Sequence, residues 1–218
     1  MKRLIVILIP FVLVVSSSAQ ALDQPAIGAL SIEYPMVYPL TICVVPDGSG
    51  APLTEAFDGT YVQDGTIGIY VGTDYCDPVP GFPPEDIWLI PEGEHWVSCG
   101  GTPNWSRLGP DGPTGPDGFT QFSEPLRAGG WTEGPIWVYL NGEAAFDVCG
   151  FGDPFVPVQM RFNSPDINGD LRVSVADVAL FAEDYYGEYH FRSDFYADTV
   201  LSLADVAILA AAMGAECD

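Results

Sequence analysis

The sequence predicts a mainly β protein, an antiparallel β-sandwich over residues 22–162 followed by a small all-α module over 166–218. Three observations carry this prediction. Short runs of β-branched and aromatic residues, separated by glycine, proline and aspartate turns, fill the stretch from 22 to 162. One pattern occurs twice, in phase, near the C-terminus, and each copy runs into an apolar helical segment. The chain opens on a basic tripeptide, an apolar run and a small-residue site.

That opening is Met1-Lys2-Arg3, then Leu4 to Val15, then Ser16-Ser17-Ser18-Ala19-Gln20-Ala21. It reads as a secretory signal peptide over 1–21, with an apolar run too short for a bilayer-spanning helix. The chain is therefore expected outside the cytoplasm: secreted, at the cell surface or in the periplasm. Without Lys2 and Arg3, five arginines remain against thirty acidic residues, a net charge near −25. Nucleic acid and anionic membrane surfaces need basic patches, so both are disfavoured as partners.

Strands are expected at Val37–Val45, Thr66–Thr73, Asp86–Ile90, His95–Ser98, Phe119–Ser123, Ile136–Leu140 and Phe155–Phe162. Turns separate them, among them Pro46-Asp47-Gly48, Gln63-Asp64-Gly65, Pro91-Glu92-Gly93, Pro116-Asp117-Gly118 and Asn141-Gly142. Ile67, Ile69 and Val71 alternate with Gly68, Tyr70 and Gly72, the pattern of a half-buried strand. Ile67 to Val71, followed by Pro78-Val79-Pro80-Gly81, resembles the opening of bacterial immunoglobulin-like domains, as does the aspartate-glycine turn at Pro116-Asp117-Gly118. That resemblance implies an immunoglobulin-like sandwich and no particular chemistry.

Export makes disulfides the expected state of Cys43, Cys76, Cys99, Cys149 and Cys217. A hairpin of Asp86–Ile90 with His95–Ser98 would return Cys99 to the end where Cys76 enters, so Cys76–Cys99 is the expected bridge. Cys217 is then free, or paired with Cys43 or Cys149. Zinc is disfavoured because no cysteine pair has a C-x-x-C spacing.

The chain is not expected to be an enzyme. It lacks a Gly-x-Ser-x-Gly elbow, a His-Glu-x-x-His helix and a phosphate loop. His95 and His190 have no nucleophile beside them in sequence, and the acids Glu85, Asp86, Glu92 and Glu94 read as solvated turn residues. Trp88 and Trp137 sit within strand-like runs and are expected in the core, whereas Trp105 and Trp131, in glycine-rich loops, are candidates for a sugar-binding platform.

The repeated pattern carries the strongest chemistry. With Asp166 as position 1, oxygen-bearing side chains fall at positions 1, 3, 5, 9 and 12: Asp166, Asn168, Asp170, Ser174 and Asp177. Arg172 offers its backbone carbonyl at position 7. This is the ligand spacing of a twelve-residue calcium loop, in which six to eight oxygens surround a hard cation. In the second copy Asp194, Asp198, Val200, Ser202 and Asp205 take positions 1, 5, 7, 9 and 12, but position 3 is Tyr196. A competing reading needs no metal, because Ser174-x-x-Asp177 and Ser202-x-x-Asp205 are also helix capping boxes. Asp166, Asn168 and Asp170 have no part in such a box.

Two calcium loops, each followed by one helix, at the C-terminus of an exported chain resemble the dockerin family, over roughly Ser164 to Gly214. The resemblance implies calcium as cofactor, calcium-dependent folding and a cohesin-like or other extracellular protein as partner. Position 6 is Leu171 and Thr199 where a turn glycine is expected. The positions that often contact the partner, 10 and 11, are Val175, Ala176, Leu203 and Ala204, without a hydroxyl. Helices are expected over Val175–Tyr186 and Leu203–Met213, with Val178, Phe181 and Tyr185 facing Val206, Leu209 and Met213. A short linker is expected at Asn163–Pro165. The expected function is that of a secreted, non-catalytic docking or anchoring protein; the alternative is a carbohydrate-active protein that binds or cleaves a polysaccharide.

Overall fold

The computed structural model describes residues 26–35, 39–93, 95–99, 108–147, 149 and 157–217. The expected signal peptide, Glu94 and Trp105 lie outside them, as do parts of the first and last expected strands.

The protein is mainly β, with several antiparallel sheets. Strands β1 (Ile27–Glu33), β5 (Ile67–Thr73) and β8 (Phe119–Phe122) form one antiparallel sheet in the order β1-β5-β8. A second antiparallel sheet joins β6 (Ile87–Pro91), β10 (Ile136–Leu140) and β11 (Glu143–Ala144) in the order β11-β10-β6. Strands β7 (Trp96–Ser98) and β9 (Ala128–Gly130) pair alone. The fourth sheet has the order β12-β2-β3-β4, from β2 (Leu40–Cys43), β3 (Ala56–Phe57), β4 (Val62–Gln63) and β12 (Met160–Asn163). Within it β12 runs parallel to β2, with Asn163 opposite Cys43.

Alternation builds the main core. Ile67, Ile69 and Val71 of β5 are fully buried, against Leu40, Ile42, Phe122, Ile136 and Phe162 among others. On the other face of β5, Tyr70 packs on Phe119 with ring centroids 4.8 Å apart. The Phe119 ring also lies over Gly68, where an added Cβ would come within 2.9 Å of it. Strand β1 escaped expectation because Gly28, Ala29 and Ser31 dilute its apolar signal.

The expected hairpin of Asp86–Ile90 with His95–Ser98 is not formed. Strand β6 pairs with β10, and β7 pairs with β9. The turn between them is captured from outside: the Glu92 N–H donates to Pro135 O, Thr132 Oγ donates to Glu92 O, and Trp137 Nε1 donates to the Glu92 carboxylate. Trp96 then turns inward against Phe162, at 5.0 Å between ring centroids. The Cys76–Cys99 bridge falls with the hairpin. Cys76 is joined to Cys149 (Cα–Cα 5.3 Å) and Cys99 to Cys217 (Cα–Cα 5.7 Å), which leaves Cys43 free.

Two α-helices stand among the described residues, α1 (Val175–Tyr186) and α2 (Leu203–Ala212). Their core is Ile167, Val173, Phe181, Phe195, Leu209 and Ala212, and it also takes in Val45 from the segment after β2. The expected linker is part of the packing. Asn163 and Ser164 are fully buried, and Asn163 Nδ2 donates to both Phe191 O and Asp194 O. No helix among the described residues is long and apolar enough to cross a membrane.

Candidate metal centre

Each helix begins where its sequence provides a cap. Ser174 and Ser202 accept from the N–H of Ala176 and Ala204, both at 3.1 Å. Asp177 and Asp205 reach back to the N–H of Ser174 and Ser202, both at 2.8 Å, which completes two capping boxes. The metal-free role of these four residues is therefore real, and any further role of the two aspartates rests on their second oxygens.

Those oxygens fold the loops. In loop 1 (166–177) Asp177 Oδ1 accepts from Asn168 N at 3.2 Å, and Asp166 accepts from Asp170 N at 3.1 Å and Leu171 N at 2.8 Å. Asn168 Oδ1 accepts from Asp170 N at 2.9 Å, and Asp170 Oδ1 from Arg172 N at 3.0 Å. Loop 2 (194–205) repeats this arrangement position for position. Asp205 Oδ1 accepts from Tyr196 N at 2.9 Å, Asp194 from Asp198 N at 3.2 Å and Thr199 N at 2.8 Å, and Asp198 Oδ1 from Val200 N at 3.0 Å. The one side-chain acceptor that drops out is the one at position 3. Tyr196 instead packs on Phe57 of β3, with ring centroids 5.7 Å apart. The departure from ligand spacing is thus a contact with the β region.

Positions 4 and 6 of both loops have a left-handed backbone: Gly169 (φ 70°), Leu171 (φ 67°), Ala197 (φ 59°) and Thr199 (φ 67°). Leu171 and Thr199 occupy a conformation that costs a non-glycine residue about 1–2 kcal/mol. The N–H groups they present to Asp166 and Asp194 offset part of that cost.

The electrostatics are those of gathered acids. Burial pushes the Asp166 carboxyl up to about 6, with the nearby Asp177 and Asp170 carboxylates adding to the rise and the Leu171 N–H opposing it. Burial likewise raises Asp194, against the Tyr189 hydroxyl, which donates to it at 2.8 Å. Arg172 turns its side chain to Glu216 (3.6 Å), leaving its carbonyl as its contribution to loop 1. Among the described residues no three His, Cys, Asp or Glu side chains close on one point. A metal in loop 1 would need amide, hydroxyl and carbonyl oxygens beside the three acids, a set that suits a hard cation. Loop 2 offers one side-chain oxygen fewer and a hydroxyl already bonded to its first aspartate.

Several residues that hold loop 1 were not singled out from the sequence. Gly130 N donates to Asp166 O at 2.7 Å, and Gly129 lies so close to the Asp166 carboxylate that any Cβ there would overlap it. The adjacent glycines at 129–130 were the available sign of a close backbone approach. On its other side loop 1 meets the chain end: Gly214 N donates to Val173 O, Val173 N to Ala215 O, and Cys217 N to Leu171 O.

No family model, curated protein or solved structure matches the chain. The reading of the site therefore rests on its own geometry.

The expected partner positions stand at the surface symmetrically. Val175 and Leu203 are each 76% exposed, Ala176 is exposed and Ala204 half-buried. The expected stripes are narrower than the spacing suggested. Phe181 and Leu209 enter the shared core, but Val178, Tyr185, Val206 and Met213 remain exposed. On the β region Trp88 and Trp96 are buried, Trp137 is half-buried, and half-buried Trp131 stacks on exposed His95 at 4.9 Å.

Proposed function

We propose that this is a secreted, non-catalytic protein whose two C-terminal loops bind calcium and whose paired helices dock an extracellular protein in the manner of a dockerin. The single observation that carries the reading is the hydrogen-bond network reproduced in both loops, with carboxylates at positions 1, 5 and 12 held by backbone N–H groups. Calcium would be held in loop 1 by Asp166, Asn168, Asp170, Asp177 and the Arg172 carbonyl, with Ser174 at the rim. It would supply the positive charge that the gathered acids favour. In loop 2, Asp194, Asp198, Asp205 and the Val200 carbonyl, with Ser202, would hold it more weakly. The sequence pattern of 22–162 favours an immunoglobulin-like sandwich as the body that carries the repeats.

The docking surface in this reading is Val175, Ala176, Leu203 and Ala204, extended by exposed Val178 and Val206. Two equivalent apolar patches suit a protein partner better than a sugar or nucleic acid. Melting of the full chain in excess calcium and in chelator tests the metal. Binding to the folded state at a hundred times the dissociation constant stabilises by about 2.7 kcal/mol. Asp170→Ala, at an exposed position outside the cap, should remove most of the loop 1 share, while the chelated melt falls only by the loss of its exposed bonds to Arg172 N and Asn168 Nδ2, about 1 kcal/mol. An identical melt in calcium and chelator would leave the capping boxes as the loops' whole purpose. Docking is tested by capture from the host's secreted fraction with and without calcium, with Val175→Asp/Leu203→Asp as the paired loss.

A second reading, polysaccharide binding by the β region, is favoured by the Trp131–His95 stack. Retention on insoluble polysaccharides, lost in Trp131→Ala, distinguishes it.

A further inference from the structure

Between the β region and the second repeat lies a cleft of about 470 Å³, within the roughly 300–1,000 Å³ range of small-ligand sites. It is lined by Cys43, Ile208 and the Phe57–Tyr196 pair, whose rings are in contact with each other. The mouth is apolar and open, with Val62 63% and Tyr196 50% exposed. Burial holds the Cys43 thiol up at about 12, so it is a neutral, apolar part of the wall. The Thr41 hydroxyl at the cleft accepts from Arg161 Nη2 at 3.1 Å. Glu55 is the one charged side chain among the described residues that line it.

We propose that this cleft binds a small apolar cation, an alkyl- or arylalkylammonium, with its body between Phe57 and Ile208 and its head at Glu55. The chemistry follows from the lining. A cation on an apolar body gains from an aromatic surface, here the Phe57–Tyr196 pair, and its head can stay in solvent beside the exposed Glu55 carboxylate at the rim. An anion of the same shape meets Glu55 and a chain of formal charge −23, so it is repelled. The position of Tyr196 in loop 2 gains a purpose in this arrangement: the residue that breaks the ligand spacing forms one lip of the cleft. The inference is independent of whether the loops bind calcium.

Calorimetry on the full chain with three probes of one body and different heads tests it: phenylbutylammonium, phenylbutanol and phenylbutyrate. The ammonium should bind a few-fold more tightly than the alcohol, and the carboxylate most weakly. Glu55→Gln should remove the ammonium's advantage and keep the alcohol's binding. Ala211→Phe, at an exposed helix position on the cleft, should block all three. Bound phenylbutylammonium should also slow alkylation of Cys43, the single free thiol. Absence of binding, equal affinity for the three heads, or ammonium binding that survives Ala211→Phe would each overturn the proposal.

Discussion

Leu171 and Thr199 show how a single residue can work against its local backbone and still be kept. Both stand at φ 67°, where a β-branched side chain is least at ease, and both present an N–H to the first aspartate of their loop. Thr199 is exposed, so its replacement disturbs little packing. Thr199→Gly should therefore stabilise the calcium-free protein by roughly 0.5–1 kcal/mol, the relief of strain less the entropy glycine adds to the unfolded chain. Thr199→Ala, which keeps a Cβ but loses the branch, should gain less. Midpoints of urea unfolding in chelator measure both.

Helix α1 depends on the connector that follows it. Asp184, buried near its C-terminal end, accepts two hydrogen bonds from Arg192 (2.8 and 2.7 Å) and one from Ser193 (2.6 Å). An acid so close to a helix C-terminus is unfavourable by the helix dipole, and the connector's cation offsets that. Burial raises the Asp184 carboxyl, but the Arg192 guanidinium and Ser193 hydroxyl outweigh it and hold the group below the usual carboxylate range. A carboxyl depressed in the folded state contributes stability above its unfolded value, about 3.9, and loses it as pH falls through the folded value. Calcium-free melting between pH 5 and pH 2 should thus fall more steeply in the parent than in Asp184→Asn. Arg192→Met should cost about 2–3 kcal/mol at neutral pH, because it strips a buried carboxylate of its charged partner.

The β region and the repeats form one piece of architecture. Strand β9 holds Asp166 through Gly130, strand β7 leads to Cys99, and Cys99 is bonded to Cys217, whose N–H donates to Leu171 O in loop 1. Loop 1 is therefore clamped at its first and sixth positions by a circuit that the disulfide closes. The 118-residue separation of that disulfide corresponds to a loop-entropy stabilisation of about 5 kcal/mol. Cys99→Ser/Cys217→Ser should lower the melting temperature and, on the proposed calcium reading of loop 1, weaken calcium binding several-fold, since the loop would then have to be ordered by the metal itself. Calcium titration of the variant below its melting range checks this; unchanged affinity would mean that β9 and the helix cap suffice to shape the loop. Cys76→Ser/Cys149→Ser, whose bridge lies away from the loops in the chain, is the control for a general loss of stability.

Local chemistry made much of this legible in the sequence. Alternation placed Ile67, Ile69 and Val71 in the core, and Ser-x-x-Asp fixed the starts of both helices to the residue. The in-phase repeat foretold two loops with one internal geometry, because side chains that bond their own neighbours' N–H groups need no distant partner. Pairing between distant segments had no such local cause. The Pro91-Glu92-Gly93 turn reads as a hairpin, yet the residues that capture Glu92 lie forty or more positions later. A Cys76–Cys99 bridge requires that hairpin, and the bridges that form, Cys76–Cys149 and Cys99–Cys217, follow the strands instead. Asn163 reads as a boundary residue because proline follows closely, but burial and its bonds to Phe191 and Asp194 make it a joint. Tyr196 reads as a missing ligand, and only the approach of Phe57 shows what it does. The sequence alone determined the helix starts and the loops, whose hydrogen bonds close within a few residues. Tertiary structure alone decided which elements meet, because that depends on shape and burial summed over the whole chain.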